Sequence, residues 1–339
     1  MKILVTGGTG YIGSHTVVEL QKKGFEVIIV DNLSNSHATV VDQIEQISGV
    51  RPVFEEFDLT DVNKTNDFFN RHSDLKGIIH FAAYKAVGES VSDPLMYYRN
   101  NIGSLINILE NMKIHQIDNL VFSSSCTVYG QPEVLPVSED SPILNAMSPY
   151  GNTKQISEEI INDTSHVTNV KAILLRYFNP IGAHETALIG ELPLGVPNNL
   201  VPFITQTAIG IRKQLSVFGS DYNTPDGTAI RDYIHVVDLA QAHVVAVQRM
   251  IDKRTNKKVE VFNLGTGNGF SVLEVINSFE KVSGEKLNYK IVDRRPGDVE
   301  IVYADTSYAN SELGWKAAKT LDEMMLSSWN WEKALAKKA

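Results

Sequence analysis

A single cysteine, Cys126, stands among 339 residues, so no disulfide can form within the chain. Positive charge is the next shortage. Lys and Arg number 31 against 40 Asp and Glu, a net charge of −9. That balance argues against a nucleic-acid partner, whose phosphates call for a basic face. No run of about 18 apolar residues occurs, so no membrane-spanning helix is expected. The first residues pass straight into a strand without an apolar signal region, and a cytoplasmic location is the expectation. The nine histidines show no His-x-x-x-His spacing and Cys-x-x-Cys is missing, which speaks against a metal site. Repeats, low-complexity tracts and flexible linkers are missing too. What remains is 43% hydrophobic and long enough for one large or two modest domains.

The amino-terminal stretch carries the first positive signal. Ile3-Leu-Val5 is a short apolar strand running into Gly7-Gly-Thr-Gly10-Tyr11-Ile12-Gly13, and Ser14–Lys23 then reads as a helix ended by Gly24. Gly8-x-Gly10-x-x-Gly13 fits the dinucleotide fingerprint, and Gly7-x-x-Gly10-x-x-Gly13 fits its short-chain dehydrogenase variant. Glycine is required because the backbone must turn tightly and approach a pyrophosphate with no Cβ between them. The helix amino terminus then faces the phosphate charge. A second strand, Glu26–Val30, ends in Asp31, 21 residues after Gly10. A carboxylate there accepts from ribose hydroxyls and repels a 2′-phosphate, so NAD is expected rather than NADP.

The second signal is Tyr150-Gly-Asn-Thr-Lys154, with Ser125 ahead of it in Phe122-Ser-Ser-Ser-Cys-Thr-Val-Tyr-Gly130. Only one of the 12 tyrosines has a lysine four residues on. At that spacing the two stand on one helix face, and an adjacent ammonium favours the phenolate. Free tyrosine, with a pKa of about 10, is a poor base at neutral pH. Beside Lys154 and a cationic nicotinamide it becomes a competent one.

Strands alternate with helices along the first half: Gly77–Phe81, a long helix near Pro94–Met112, Asn119–Ser123, the helix of Tyr150, then Lys171–Tyr177. This rhythm predicts an α/β fold, a doubly wound parallel sheet of the Rossmann kind, with ligands beyond the carboxyl ends of its strands. Asp31, Phe81, Ser125 and Phe178 fall at strand ends and should converge. Gly182–Tyr233 is rich in Gly, Pro and Asn and reads as loops over a ligand. A helix near Val237–Met250 and a strand at Val259–Leu264 return to the main sheet. Ser271-x-x-Glu274 and Thr320-x-x-Glu323 are capping boxes for late helices. We therefore expect an NAD-binding domain from 1–180 plus about 236–265. A smaller α/β substrate-binding domain takes 181–235 and 266–339, interleaved with it.

Thr6–His15, Lys85-Ala-Val-Gly-Glu-Ser90, Ser123–Gly130, Leu175-Arg-Tyr-Phe-Asn-Pro180 and Arg231-Asp-Tyr-Ile-His235 closely resemble the UDP-glucose 4-epimerase family of extended short-chain dehydrogenase/reductases. The resemblance runs from Met1 to about Trp331. It implies interconversion of UDP-glucose and UDP-galactose through a 4-keto sugar, with a tightly held NAD. Ser125, Tyr150 and Lys154 match the catalytic set. The same three, with Lys154 on the nicotinamide ribose, and Gly7, Gly10, Tyr11, Ile12, Gly13, Asp31, Asn32, Asn35, Ser36, Asp58, Leu59, Phe81, Ala82, Lys85, Asn100 and Phe178 match cofactor contacts. Ser125, Tyr150, Asn179, Asn199, Leu200 and Phe218 match substrate contacts, Arg231 and Arg295 the diphosphate ligands, and Asp298 a uridine-ribose ligand. Cys126, Asn152 and Tyr84 depart from the family's usual residues without touching the catalytic three.

Val302 stands where many bacterial relatives have a tyrosine closing the space around the sugar C2 substituent. The resemblance therefore extends to UDP-N-acetylglucosamine and its epimer, provided Tyr303 does not turn into the pocket instead. Two rivals remain, the first on the same fold and the second from another functional class. A sugar-nucleotide dehydratase or decarboxylase needs an acid–base pair after the serine, where this chain has Cys126 and Thr127. A non-catalytic NAD-sensing regulator would lack the Ser-Tyr-Lys set. Relatives are typically homodimers joined through helices, and Leu105, Ile106, Leu109 and Met112 offer one such face, or simply pack on the sheet.

Overall fold

A computed structural model describes residues 1–294 and 299–337. Ile3, Leu4 and Val5 are wholly buried in β1 (Lys2–Thr6), and they alternate. Ile3 and Val5 join one apolar cluster and Leu4 another. A strand apolar on both faces belongs to a parallel sheet covered twice.

The covering helices follow in turn. After β1 come α1 (Tyr11–Lys22), β2 (Glu26–Asp31), α2 (Thr39–Ser48), β3 (Val53–Glu56), α3 (Val62–Arg71), β4 (Gly77–His80), α4 (Val87–Ser92), α5 (Pro94–His115), β5 (Asn119–Ser125), α6 (Pro149–Val167) and β6 (Lys171–Tyr177). The chain continues through β7 (Asn179–Ile181), α7 (Leu200–Ala208), β8 (Leu215–Phe218), β9 (Ile230–His235), α8 (Val236–Ile251), β10 (Val259–Leu264), β11 (Gly269–Ser271), α9 (Val272–Ser283), β12 (Tyr289–Val292), β13 (Ile301–Val302) and α10 (Leu321–Ala336).

Seven strands form one sheet in the order β10–β6–β5–β4–β1–β2–β3, every pair parallel. Strand order reverses between β1 and β4, which places a ligand crevice at their carboxyl ends. A second sheet has β9 at its centre, paired with β7, β11 and β13. β8 and β12 pair separately. Val201, Ile204, Val217, Tyr233, Val275, Phe279, Met324 and Trp329 pack into one further cluster there.

Three expectations change in detail. Residues 182–233 do leave the main sheet, but they hold α7, β8 and β9 as well as loops. These elements are short and interrupted by Gly, Pro and Asn, so no clear period accumulates. The helix α1 begins at Tyr11, three residues before Ser14, and takes Gly13 into its first turn. On α5, Leu105, Leu109 and Met112 face the core and only Ile106 of that set is exposed, so the packing reading holds for them. Both late capping boxes form, at Ser271 with Glu274 and at Thr320 with Glu323.

Candidate active site

The glycine loop leaves no room for side chains at its tightest points. Gly7 has φ +69°, and a Cβ there would lie 2.8 Å from the Ala82 nitrogen; one at Gly13 would lie 2.1 Å from the Gly7 carbonyl oxygen. Gly10 caps α1 with no side-chain hydrogen bond, and no acidic residue stands in the first turn. The helix therefore presents backbone N–H groups and a positive dipole end to an anion. Asp31 closes β2 beside this loop, its carboxylate accepting from the Thr9 N–H at 3.2 Å and the Leu33 N–H at 3.0 Å. Ser36 and Thr9 hydroxyls bond at 2.7 Å. The Asn32 amide donates to Asp58 at 3.0 Å, with Leu59 buried next to it and Asn35 in the turn after β2. A Cβ-free cradle, an uncapped helix end and an acid at the β2 terminus together fit a dinucleotide.

Phe81 and Ala82 follow β4, and the Phe81 ring lies 4.6 Å from that of His243. His80 and His243 are both buried, as core residues should be. Ile12 packs against the core behind the loop. The Tyr11 hydroxyl donates to the Gly182 carbonyl at 2.6 Å. Asn100, on α5, donates to the Asn101 side chain at 3.0 Å.

Ser125 ends β5 and its hydroxyl accepts from the Thr127 N–H at 3.2 Å. Ser148 caps α6 and Pro149 occupies its first turn, which fixes where Tyr150 emerges. Lys154, one turn on, is 4% exposed; its ammonium donates to the Ser123 carbonyl at 2.7 Å and lies 5.9 Å from the Tyr150 ring centroid. The shared helix face is as expected. Burial adds a second influence on the pair. Burial pushes the Tyr150 phenol up to about 12, opposed by hydrogen bonding to Ser125. Burial also lowers Lys154 to about 8, against the upward pull of Glu158. Desolvation is the largest influence on both groups in this closed setting.

On the sugar side, Phe178 is buried and Asn179 opens β7. Asn199 caps α7, ahead of Leu200, and its amide donates to Glu191 at 2.6 Å. The Lys85 ammonium reaches the same Glu191 oxygen at 3.3 Å. Arg231 lies on β9 and donates to the Ile230 carbonyl at 2.8 Å. Phe218 ends β8, largely exposed, next to the segment that leads towards Arg295. Val302 packs against the buried cluster of Val128, Tyr129, Val137, Phe178 and Ala304, whereas the Tyr303 ring lies by Gly269. Arg295 and Asp298 lie outside the described residues.

Residues 4–327 match the family profile described as GDP-mannose 4,6 dehydratase. The UDP-glucose 4-epimerase of Bacillus subtilis is 49% identical over 333 residues, covering 98% of this chain and 97% of that one. The chain belongs to the UDP-glucose 4-epimerase family. Among solved structures, the Stenotrophomonas maltophila UDP-glucose 4-epimerase with bound NAD and formylated UDP-arabinopyranose is 47% identical. It superposes with a TM-score of 0.96 over all of both chains. The Bifidobacterium longum enzyme in complex with NAD+ and UDP is 46% identical, TM-score 0.94, again over all of both chains. Epimerase chemistry also agrees with the two positions after Ser125. Cys126 has its thiol pushed up to about 12 by burial, and Thr127 has no acid–base group, so neither supports dehydration.

Sequence reasoning missed a buried network directly behind the epimerase centre. Glu158 on α6 accepts from the Arg176 Nε at 2.9 Å and Nη2 at 2.6 Å, and from the Ser124 hydroxyl. Arg176 Nη1 donates to the Tyr129 hydroxyl at 2.9 Å, which donates to Asn263 at 2.7 Å. The signal was available: Glu158 continues the four-residue step from Tyr150 through Lys154.

Proposed function

We propose that this site interconverts UDP-galactose and UDP-glucose with Tyr150 as the base, Ser125 as hydrogen-bond partner of the same sugar oxygen, and Lys154 as the nearby cation. The observation that carries it is the meeting of β5's Ser125 with α6's Tyr150 and Lys154, at the carboxyl edge that also holds the glycine loop. Direct inversion at C4 would break an unactivated bond. Oxidation to a ketone makes the centre planar, so that reduction from the other face inverts it. NAD, when bound, supplies the hydride acceptor and donor for both halves, and its cationic ring favours the phenolate. Tyr150 takes the proton from the C4 hydroxyl and later returns it, while Ser125 orients that oxygen. Between the halves the keto sugar turns as Asn179, Asn199, Leu200, Phe218 and Arg231, with Arg295 and Asp298, keep the nucleotide end anchored. Gly7, Gly10, Tyr11 to Gly13, Asp31, Asn32, Asn35, Ser36, Asp58, Leu59, Phe81, Ala82, Lys85, Asn100 and Phe178 hold the cofactor.

The finer readings follow the same resemblance. N-acetylated UDP-sugars are substrates because Val302 leaves space at C2. Residues 1–180 with about 236–265 form the NAD-binding domain, and 181–235 with 266–339 the sugar-nucleotide domain. The protein works in the cytoplasm as a homodimer, supported by exposed Val87, Val91, Leu95 and Ile106 on α4 and α5; light scattering at working concentration tests the dimer. No described helix is long and apolar enough to cross a membrane. The central test incubates purified protein with UDP-galactose and no added NAD. UDP-glucose should accumulate, and its failure to appear under conditions where the protein is folded overturns the proposal.

A further inference from the structure

Behind Tyr150 and Lys154 the chain buries a full ion pair. Glu158 is 7% exposed and Arg176 6%. Burying two charges is costly unless geometry and hydrogen bonds are good, and a well-packed apolar pair often serves stability as well. Stability alone is therefore a weak reason for this pair. Its position suggests a better one.

The Glu158 carboxylate joins the two elements that carry the reacting groups, α6 and β5, to the neighbouring strand β6. It sits on α6 one turn beyond Lys154, accepts from Ser124, which precedes Ser125 on β5, and is gripped in two places by Arg176 on β6, three residues before Asn179. The guanidinium is held in turn by Tyr129, whose ring it covers at 4.9 Å. Neither carboxylate oxygen is free to swing away.

We propose that Glu158 is a positioning residue for the epimerase reaction, a fixed anion that keeps the Lys154 ammonium charged and seated on the Ser123 carbonyl. This rests on the reading of Tyr150 and Lys154 given above. The surroundings of Lys154 support it. From its own helix Lys154 meets Tyr150 and Glu158; from β4, His80; from β5, the Phe122 ring at 4.9 Å and the Ser123 carbonyl; from β6, Tyr177 is bonded to Ser123 and Arg176 to Glu158. Tyr97 of α5 faces Tyr150. His80 is held neutral by burial, down to about 3. Arg176 turns its charge onto Glu158 and Tyr129. Glu158 is thus the charge in this ring that favours the ammonium, while burial works against it.

The test is the pH profile of kcat and KM with UDP-galactose, measured on holoenzyme. Loss of charge on Lys154 should produce the alkaline limb. In Glu158→Gln that limb should move to lower pH by about one unit, the size expected on losing a neighbouring opposite charge. KM should stay unchanged, since the nucleotide contacts are elsewhere. The double variant Glu158→Gln/Arg176→Met strands no buried cation and, if the single variant folds poorly, should move the limb the same way but by less, because a neighbouring positive charge is lost with the negative one. Ser124→Ala removes one donor from the carboxylate and should shift the limb the opposite way. A merely structural role lowers kcat at every pH and leaves the limb in place; an unmoved limb in the folded variants overturns the proposal. Lys154→Met separates the two readings. If it retains wild-type kcat, the assignment of Lys154 fails; if it is inactive and the limb is unmoved in the Glu158 variants, only the role of Glu158 fails.

Discussion

Val302 stands opposite Arg231 in the parallel register of β13 on β9. Partners at one register point to the same side of a sheet, so Val302 shares a face with a residue matched to the diphosphate. Val302 packs against the cluster that holds Phe178, while Tyr303 lies by Gly269; a one-residue slip would exchange the two side chains.

The first prediction follows from that register. The protein should epimerise UDP-N-acetylglucosamine as well as UDP-glucose. Val302→Tyr should keep the second activity and lose the first by about 5- to 100-fold, because overpacking a fitted site costs about 1–3 kcal/mol. Comparing kcat/KM for both sugars decides it, and a wild type inert towards the acetylated sugar refutes it.

Tyr150→Phe should retain fold and bound NAD and lose about 10²–10⁴-fold in kcat, the usual contribution of a positioned base. Single-turnover absorbance of the reduced cofactor, read alongside steady-state assays, would show whether the loss lies in the proton-transfer half. Activity near wild type removes Tyr150 from the mechanism.

Asp31→Ala should release NAD. The carboxylate closes β2 with its oxygens steadied by Thr9 and Leu33, placed to accept from ribose hydroxyls. Cofactor content of the purified variant, measured after denaturation, should fall well below that of the wild type. A full complement of NAD would mean that Asp31 does not hold the ribose.

Acid should unfold the protein through its histidines. Burial holds His15 and His80 down to about 3, and His235 and His243 down to about 4. An unfolded imidazole titrates at about 6.5, so between there and about pH 4 the unfolded chain binds more protons than the native one. Stability is fully present above that window and falls as pH drops through it, by up to about 1.4 kcal/mol per pH unit for each histidine. The Nε2 atoms of His15 and His243 have no hydrogen-bond partner to favour their charged forms. Urea midpoints at pH 7 and pH 5 measure the effect; equal midpoints would contradict it.

Much of this was legible because it was local. Ile3–Val5 running into Gly7–Gly13, the four-residue step from Tyr150 to Lys154, and the two capping boxes each need only neighbours in sequence. What stayed hidden depends on distance. Asn199 and Lys85 meet on Glu191, 8 and 106 residues away from it, and no spacing rule reaches that far. The depth at which the Tyr150 phenol sits was hidden for a related reason. Sequence shows the adjacent lysine but not the depth of burial, and here burial prevails. The short strands β11 and β13 hold three and two residues, too few for any period to register.

The outermost strand of the large sheet has a consequence for synthesis. β10 arrives at Val259–Leu264, yet its only neighbour in the sheet is β6, finished by Tyr177. A ribosome must add more than eighty further residues before that rim is covered. For several seconds, at about 5–20 residues per second, the nascent chain displays a bare row of β6 amides and carbonyls, the surface on which strands from other chains add. Misassembly of truncated or stalled products should therefore begin at β6, and a chaperone that engages this protein co-translationally has its most useful work there.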